Sequence, residues 1–450
     1  MLWPRQRYFH DNPCMNTASR WFRRPRFSPV RISVLTQLFA RALIPVLIQV
    51  LVLVLIPVTT LPTVCHADPG SLLDAISRGY RNPQASAEVA ERLPPQQIAA
   101  RRQPDRFKLV QAWRAGEVAR PGNVVCFDTS AGSRIVALDG WRTVVVLDHN
   151  GRELARHELD LPPHAAIGFL RTAVDASGTR WWLGGHRGDQ QVFVFDAAWR
   201  LHAAYPNSES TRHEGIRTAF LDDLNDDGEP EITVAYSGSV GMDVASLDGR
   251  RLWQEQSVGT VLDAVPGIPD EGRARGVVCV DGRGRLAPVT MIRSGTNTLP
   301  ASEPILGQLQ QRWNASPPVH SLFGGPVAPN GGWAFLGLAS PNISKNTAVG
   351  LGPAVEHYWE FDLPDGVHRD GPIEPVAWAD LLGTPRRQWL IAAPDGSVTV
   401  AWADGGVVDR YRHGGPLVGI GGYRDGNEGI IVIATKDSLE GYRVDDVALD

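Results

Sequence analysis

Short apolar runs separated by polar turns repeat along most of this chain. From residue 105 onward the runs are rich in β-branched and aromatic residues, and Gly, Asp or Pro bounds each of them. Runs of this kind predict β-strands, and helical periodicity almost disappears over the same stretch. The pattern therefore predicts an all-β domain over residues 105–450.

Seven of the predicted strands align with one another at a spacing of roughly 40 to 60 residues. Most are followed by a third strand that ends in an aspartate turn and then by a fourth strand, as in Val144–Leu154. Four strands per repeat at this period indicate propeller blades, so we expect a seven-bladed β-propeller of four-stranded antiparallel blades. The aligned second strands are Arg134–Leu138, Arg180–Gly184, Glu231–Ala235, Gly276–Val280, Trp333–Gly337, Gln388–Ala392 and Gly429–Ile433.

The last repeat supplies only about three strands before the chain reaches Asp450, while a spare strand, Phe107–Trp113, precedes the first repeat. An unclosed ring would leave two exposed sheet edges. We therefore expect Phe107–Trp113 to complete the last blade. Two irregular stretches, residues 290–319 and 340–355, interrupt the repeat and are interpreted as insertions, either binding loops on one face or poorly ordered loops.

The first 67 residues differ from the rest. They hold eight arginines and one acid, Asp11, and an uncharged run covers residues 42–65. The segment predicts a signal peptide, cleaved after Ala67, with an uncleaved signal anchor over residues 42–65 as the alternative. A short helix, Ser71–Tyr80, and a flexible linker, Asn82–Pro104, fill residues 68–104. The predicted location is secreted, periplasmic or cell-surface, or membrane-anchored if the segment is retained.

Net charge disfavours one class of partner. Removing the first 67 residues leaves 36 of the 44 basic and 48 of the 49 acidic residues, a formal charge of −12. A basic footprint for nucleic acid is therefore absent. Only Cys126 and Cys279 remain, each within an apolar run, which predicts two buried thiols or, in an oxidising compartment, a single disulfide.

The stretch Asp223–Glu231 reads D-x-N-x-D-G-x-x-E and leads into an apolar strand. Oxygen side chains at positions 1, 3 and 5 can converge on one hard cation, and the glycine at position 6 permits a sharp turn. An EF-hand would need a glutamate at position 12, where this chain has Val234, and flanking helices. The stretch is therefore a candidate calcium loop between strands, with an acidic hairpin turn as the alternative.

This loop and the strand after it resemble the FG-GAP (VCBS-like) repeat of integrin-alpha-type propellers and of many secreted bacterial proteins. The resemblance implies a structural Ca²⁺ site between the first two strands of a blade. Other loops keep a leading aspartate and a glycine without the ligand series, at Asp128, Asp175, Asp380 and Asp425. The implied ligands are the side chains of Asp223, Asn225 and Asp227, the backbone of Glu229, and the closing carboxylate of Glu231.

The sequence contains no recognisable catalytic motif. Its twelve histidines form no H-E-x-x-H or H-x-H pair, and the polar-aromatic cluster at residues 356–360 also fits ordinary strand alternation. We therefore expect a non-catalytic secreted or cell-surface propeller that binds a protein or carbohydrate partner. The alternative is a propeller enzyme, such as a quinoprotein-like dehydrogenase or a polysaccharide-degrading enzyme.

Overall fold

The computed structural model describes residues 106–446, apart from 117, 119–120, 208–212, 268–275, 293–305, 310–317, 329–331, 343–344, 353–354, 356, 365–373, 394 and 416. The predicted signal segment, helix and linker at residues 1–104 lie outside the described residues. Within the described ranges, no helix is long and apolar enough to cross a membrane.

All regular elements of the described chain are β-strands. In chain order they are β1 (Phe107–Ala115), β2 (Pro121–Thr129), β3 (Gly132–Asp139), β4 (Thr143–Asp148), β5 (Glu153–Glu158), β6 (Phe169–Val174), β7 (Arg180–Gly185), β8 (Val192–Phe195), β9 (Leu201–Tyr205), β10 (Ile216–Asp222), β11 (Glu231–Tyr236), β12 (Met242–Ala245), β13 (Arg251–Glu255), β14 (Val261–Pro266), β15 (Gly276–Asp281), β16 (Leu286–Ile292), β17 (Leu306–Leu309), β18 (Val319–Gly325), β19 (Ala334–Asn342), β20 (Lys345–Leu351), β21 (His357–Leu363), β22 (Val376–Ala379), β23 (Gln388–Ala392), β24 (Ser397–Ala401), β25 (Val407–Arg412), β26 (Gly419–Asp425), β27 (Glu428–Ala434) and β28 (Leu439–Asp446).

These strands form seven four-stranded antiparallel sheets. Blades 1 to 6 each use four consecutive strands, from β2–β5 for blade 1 to β22–β25 for blade 6, and blade 7 has the order β1-β28-β27-β26. The first strands of successive blades contact one another around a ring, and β2 contacts β26 where the ring closes. The predicted seven-bladed propeller is confirmed.

Six of the seven aligned second strands coincide with described strands, and in blade 5 the strand begins at Ala334, one residue late. The insertion interpretation was wrong where it covered β20, the third strand of blade 5, and β17, the fourth strand of blade 4. Strand pairing uses backbone groups, so a segment beside a formed sheet edge can add to it despite weak side-chain patterning.

Adjacent blades are joined by apolar packing. The buried apolar side chains of the described residues fall into seven clusters, one at each junction between neighbouring blades. Between blades 1 and 2, for example, Leu138 and Val144 pack with Leu170 and Phe193. A blade therefore buries both of its faces only when it has a neighbour on each side.

Polar side chains connect the inner strands at two junctions. Asn123 of blade 1 donates to the Leu170 carbonyl (2.9 Å) and accepts from the Leu170 amide (2.8 Å). Asp263 of blade 4 accepts from the amide of Leu322 in blade 5 at 2.9 Å. Both polar side chains are almost fully buried, so these bonds set the register of one blade against the next.

The two cysteines are free thiols in different blades; Cys279 is buried, as the first interpretation predicts, and Cys126 is partly buried. Cys126 lies on β2 in blade 1 and Cys279 on β15 in blade 4. Burial raises the pKa of the Cys126 thiol to about 12. The described fold is therefore held together without a disulfide between them.

The spare strand closes the ring as expected. β1 pairs with β28 from Phe107 opposite Asp446 to Ala115 opposite Leu439. Asp409 of blade 6 accepts hydrogen bonds from the amides of Arg106 (2.9 Å) and Phe107 (2.7 Å). The start of the closing strand is therefore attached to the neighbouring blade as well as to its own.

Replacing Asp409 should weaken this closure. Asp409→Ala leaves two amides at the start of β1 without their acceptor, so we expect the free energy of unfolding to fall by about 2 kcal/mol. Chemical denaturation measures the change. Asp437→Ala, at an exposed carboxylate, is the matched control and should cost little. Equal losses in the two variants would contradict this role for Asp409.

Candidate functional site

The ring has two loop-bearing faces. At one face, the first strand of each blade ends and is connected by a loop to the second strand. We call this the strand-end face. Because the strands of each blade are antiparallel, the connections between second and third strands lie on the opposite, strand-start face. The acidic loop joins β10, which ends at Asp222, to β11, which begins at Glu231. It therefore lies on the strand-end face of blade 3.

Side chains of the acidic loop hold its backbone in a tight turn. Asn225 Oδ1 accepts from the Asp227 amide and Asp227 Oδ1 accepts from the Glu229 amide, both at 2.8 Å. Asp223 Oδ2 accepts from the Gly228 amide at 3.0 Å, and Glu231 Oε2 accepts from the Leu224 amide at 2.8 Å. Four of the five predicted ligand residues thus gather in one turn through their side chains, and Glu229 contributes its backbone.

The carboxylates in this turn are electrostatically unfavourable. Glu231 is only 3% exposed, and its burial, followed by the nearby charges of Asp227 and Asp223, raises its pKa to about 9. Burial also raises the pKa of Asp223. One oxygen of Asp223, Oδ1, is buried without a hydrogen-bond partner. Ionising these carboxyl groups together is therefore unfavourable, and the hydrogen bonds of the turn do not compensate for it.

Blade 6 has a first loop of the same length with a neutral residue at its last position, and Pro385 stands where blade 3 has Gly228 at φ +93°. Asp380–Gln388 matches Asp223–Glu231 in length, and the Leu381 amide donates to Gln388 Oε1 at 2.7 Å as the Leu224 amide does to Glu231. Gln388 is fully buried and neutral. A neutral amide thus makes the equivalent bond to the leucine amide, so this bond alone does not require the carboxylate of Glu231.

The donor set fits a hard cation. Carboxylate, amide and backbone oxygens are the ligands of Ca²⁺, and the buried Asp223 Oδ1 has no hydrogen-bond partner. Over the described ranges, the side chains as placed form no group of three or more His, Cys, Asp or Glu that could hold a metal. Instead, the Asn225 amide nitrogen donates to Asp227 Oδ2 (3.0 Å) and Glu231 Oε1 (2.7 Å). Ion binding would require Asn225 to present its oxygen.

The first loop of blade 2 is a turn of related construction. Asp175 of blade 2 accepts from the amides of Ser177 and Thr179, both at 2.9 Å, and from the Trp181 indole at 3.0 Å. The hydrogen bonds to Asp175 lower the pKa of its carboxyl, and the largest contribution comes from the Ser177 hydroxyl. The Ala176 amide also donates to the Gly228 carbonyl at 2.8 Å. The acidic loop is therefore fastened to the turn of the neighbouring blade.

A cleft of about 430 Å³ lies beside the acidic loop. The ends of the inner strands of blades 2, 3 and 4 form its walls, and Trp333 of blade 5 faces them. Asp175, Asp222 and Asp223 are among its lining residues. Its volume is within the range of small-ligand pockets. The loop and the cleft share Asp223 and Gly228, so they form one candidate site, which we call the strand-end cleft.

Sequence reasoning missed the strand-end cleft and two polar groupings at the strand-start face. Arg171 of blade 2 donates across the ring to Glu374, beside the first strand of blade 6, at 2.8 Å. Asp243 is 5% exposed and accepts from the Tyr205 and Tyr236 hydroxyls at 2.9 and 3.2 Å. No spacing in the chain signals these groupings, because Arg171 and Glu374 come from different blades, and Tyr205 of blade 2 joins Asp243 and Tyr236 of blade 3.

Comparison with known proteins supports the fold alone. No protein-family profile matches the chain, and no curated protein matches it significantly in sequence. Crystal structures of BBS1N in complex with ARL6DN, soaked with lead or mercury, match at 14% and 13% identity with TM-scores of 0.53 and 0.52. Each of these two matches covers 76% of this chain and 98% or 99% of the matched chain. Raptor of Chaetomium thermophilum matches at 14% identity and TM-score 0.52, over 86% of this chain and 33% of Raptor.

The contact between the acidic loop and blade 2 generates a stability prediction. Gly228 has φ +93°, and a Cβ there would lie 2.7 Å from the Cβ of Ala176. Gly426, in the matching loop of blade 7, has φ +55° and open space around it. We expect Gly228→Ala to lower the free energy of unfolding by about 3 kcal/mol and Gly426→Ala by about 1 kcal/mol. Equal losses in denaturant titrations would show that the loop and blade 2 do not pack closely.

Proposed function

We propose that this protein is a non-catalytic binding propeller whose acidic loop holds a structural Ca²⁺. A protein or carbohydrate partner binds on the strand-end face. The observation that carries the proposal is the strand-end cleft, whose wall is formed in part by the acidic loop. A rigid closed ring positions that wall, so the cleft is available without a conformational change.

The comparison between blades 3 and 6 supports the calcium assignment. Both turns keep the bond from a buried leucine amide to the first side chain of the second strand, yet only blade 3 has a carboxylate there. The ion is held by side-chain oxygens of Asp223, Asn225, Asp227 and Glu231 and by the backbone of Glu229. It offsets the repulsion among the carboxylates and keeps the loop against blade 2.

The location follows from the sequence before the ring. The arginine-rich start and the uncharged run over residues 42–65 direct the chain out of the cytoplasm. Cleavage after Ala67 releases the propeller, and retention of the run anchors it. Extracellular calcium modules bind at concentrations of about 10⁻⁴ to 10⁻³ M, which suits a loop of this kind.

The structural neighbours support a protein partner. BBS1N was crystallised in complex with ARL6DN, so that propeller-like chain binds another protein. The likeness is confined to the fold, and it identifies neither the partner of this chain nor the surface used. Carbohydrate remains the second partner class because loop-bearing propeller faces serve both.

Glu231→Gln should separate the structural and ion-binding roles of the loop. The variant copies blade 6, so we expect it to melt no lower than the wild type in chelator. With calcium at about 1 mM the wild type should gain several degrees, while Glu231→Gln should gain none. Thermal unfolding with and without calcium measures both effects.

Asp226→Asn is the matched control, because Asp226 lies in the same turn but is not a predicted ligand, and asparagine tolerates its positive φ of 55°. It should retain the calcium shift, whereas Asp227→Ala should lose it. A wild type that shows no shift in calcium would overturn the calcium assignment.

The binding role has a separate test. We expect a pull-down or a glycan array with the protein to recover a partner whose retention falls when chelator loosens the acidic loop. Trp333→Leu, which alters the cleft but not the loop ligands, should reduce retention in calcium as well. Retention that is unchanged in Trp333→Leu would remove the strand-end cleft from the binding surface.

A further inference from the structure

One ion pair crosses the central channel of the ring. Arg171 Nη2 on β6 of blade 2 donates to Glu374 Oε1, two residues before β22 of blade 6, at 2.8 Å. Blades 2 and 6 are three junctions apart in one direction around the ring and four in the other, so they lie nearly opposite each other. A contact between their inner edges therefore has to span the channel close to its strand-start mouth.

Several other ion pairs join close neighbours. Arg200 pairs with Asp196 inside blade 2 at 2.6 Å, and His413 lies 3.2 Å from Glu440 at the junction of the neighbouring blades 6 and 7. Turns and blade packing keep such residues close together whether or not their charges attract. The pair across the channel has no such support, because the shorter route around the ring passes through two further blades.

Both partners of the cross-channel pair are held in place by their own surroundings. The Arg171 guanidinium lies 5.4 Å from the centroid of the Phe169 ring, and its Nη1 donates to the Leu170 carbonyl at 3.0 Å. On the other side, Glu374 forms a parallel backbone bridge with Gly419, the first residue of β26 in blade 7. The two side chains are 29% and 16% exposed, so solvent screens their charges less than those of an exposed pair.

A buried carboxyl of blade 4 lies near the same mouth. Asp263 is 4% exposed, and its two oxygens accept from the amides of Ala264 and Leu322, both at 2.9 Å. Burial raises the pKa of Asp263, the positive charge of Arg187 counteracts that shift, and the negative charge of Glu374 adds to it. Glu374 is therefore within electrostatic reach of a second carboxyl, and its pairing with the arginine of blade 2 offsets the repulsion.

The strand that carries Arg171 also forms a wall of the strand-end cleft. Thr172, Ala173 and Val174 follow Arg171 on β6, and all three line the cleft. Residues of one paired strand tend to open together as a cooperative unit. A contact that restrains Arg171 therefore also restrains this wall.

We propose that Arg171 and Glu374 form a strap across the central channel. The strap closes the channel at the strand-start face, couples the inner edges of blades 2 and 6, and holds β6 in the position that shapes the strand-end cleft. It acts in addition to β1, which closes the ring at blade 7. This inference goes beyond the proposed binding function, since it depends on neither the ion nor the partner.

Hydrogen exchange, measured by mass spectrometry on the full chain, tests the strap. Arg171→Gln or Glu374→Gln leaves one partly buried charge unpaired, so we expect the amides of β6 and β22 to exchange about fivefold faster in either variant than in the wild type. In the double variant neither charge remains, so exchange should be no faster than in either single variant. Salt at about 0.5 M should speed β6 exchange in the wild type but not in the double variant.

Control variants match the charge that each substitution removes. Arg200→Gln removes a positive charge from an outer loop of blade 2, and Glu153→Gln removes a negative charge from the outer strand of blade 1. Both residues pair within their own blade, so exchange in β6 and β22 should stay at the wild-type rate. Thermal unfolding of every variant verifies that it is folded.

Three outcomes would overturn the strap: absent or additive effects of the two substitutions, equal acceleration in Arg200→Gln or Glu153→Gln, or acceleration spread evenly over all seven blades. The proposed function is judged separately. A normal calcium shift and normal partner retention without coupling between Arg171 and Glu374 would refute the strap alone. Coupling between them without a calcium shift or a partner would refute the proposed function and leave the strap.

Discussion

Closure of the ring is the constraint on which the rest of this structure depends. Every blade packs its faces against neighbouring blades, and the buried apolar clusters lie at the junctions. An open ring would expose the faces of blades 1 and 7 at once. β1 prevents this by pairing with β28, although about 320 residues separate them. The Asp409 carboxylate strengthens the same closure from blade 6.

The closed ring also restricts where functional side chains can lie. The faces of its blades are buried against neighbouring blades, so variable side chains are confined to the loops and to the ends of the inner strands. At the strand-end face this places the acidic loop of blade 3 beside Asp175 of blade 2 and opposite Trp333 of blade 5. The bond from Ala176 to Gly228 makes the loop part of the wall. The proposed ion site and the proposed partner site therefore adjoin on one surface.

The first loops of blades 3 and 6 share one hydrogen bond but differ in the side chain that accepts it. Gln388 and Glu231 accept hydrogen bonds from leucine amides at the same position of their loops, but only the glutamate can ionise, and burial raises its pKa to about 9. A loop that needed only this hydrogen bond would be served as well by the amide, because ionising a buried carboxyl without a positive partner is costly. Glu231 therefore points to a ligand that compensates it.

The sequence by itself determined the strands, the sevenfold repeat and the closing strand. Alternation of apolar and polar residues depends on neighbours in the chain and is readable there. The sequence also located the acidic loop between two strands, since the ligand-type residues lie close together in the chain. It failed at β17 and β20, whose strands form by pairing with an existing sheet edge. Only the tertiary structure brought Asp175, Asp223 and Trp333 around one cleft, or Arg171 to Glu374, because ring geometry joins residues from blades far apart in sequence.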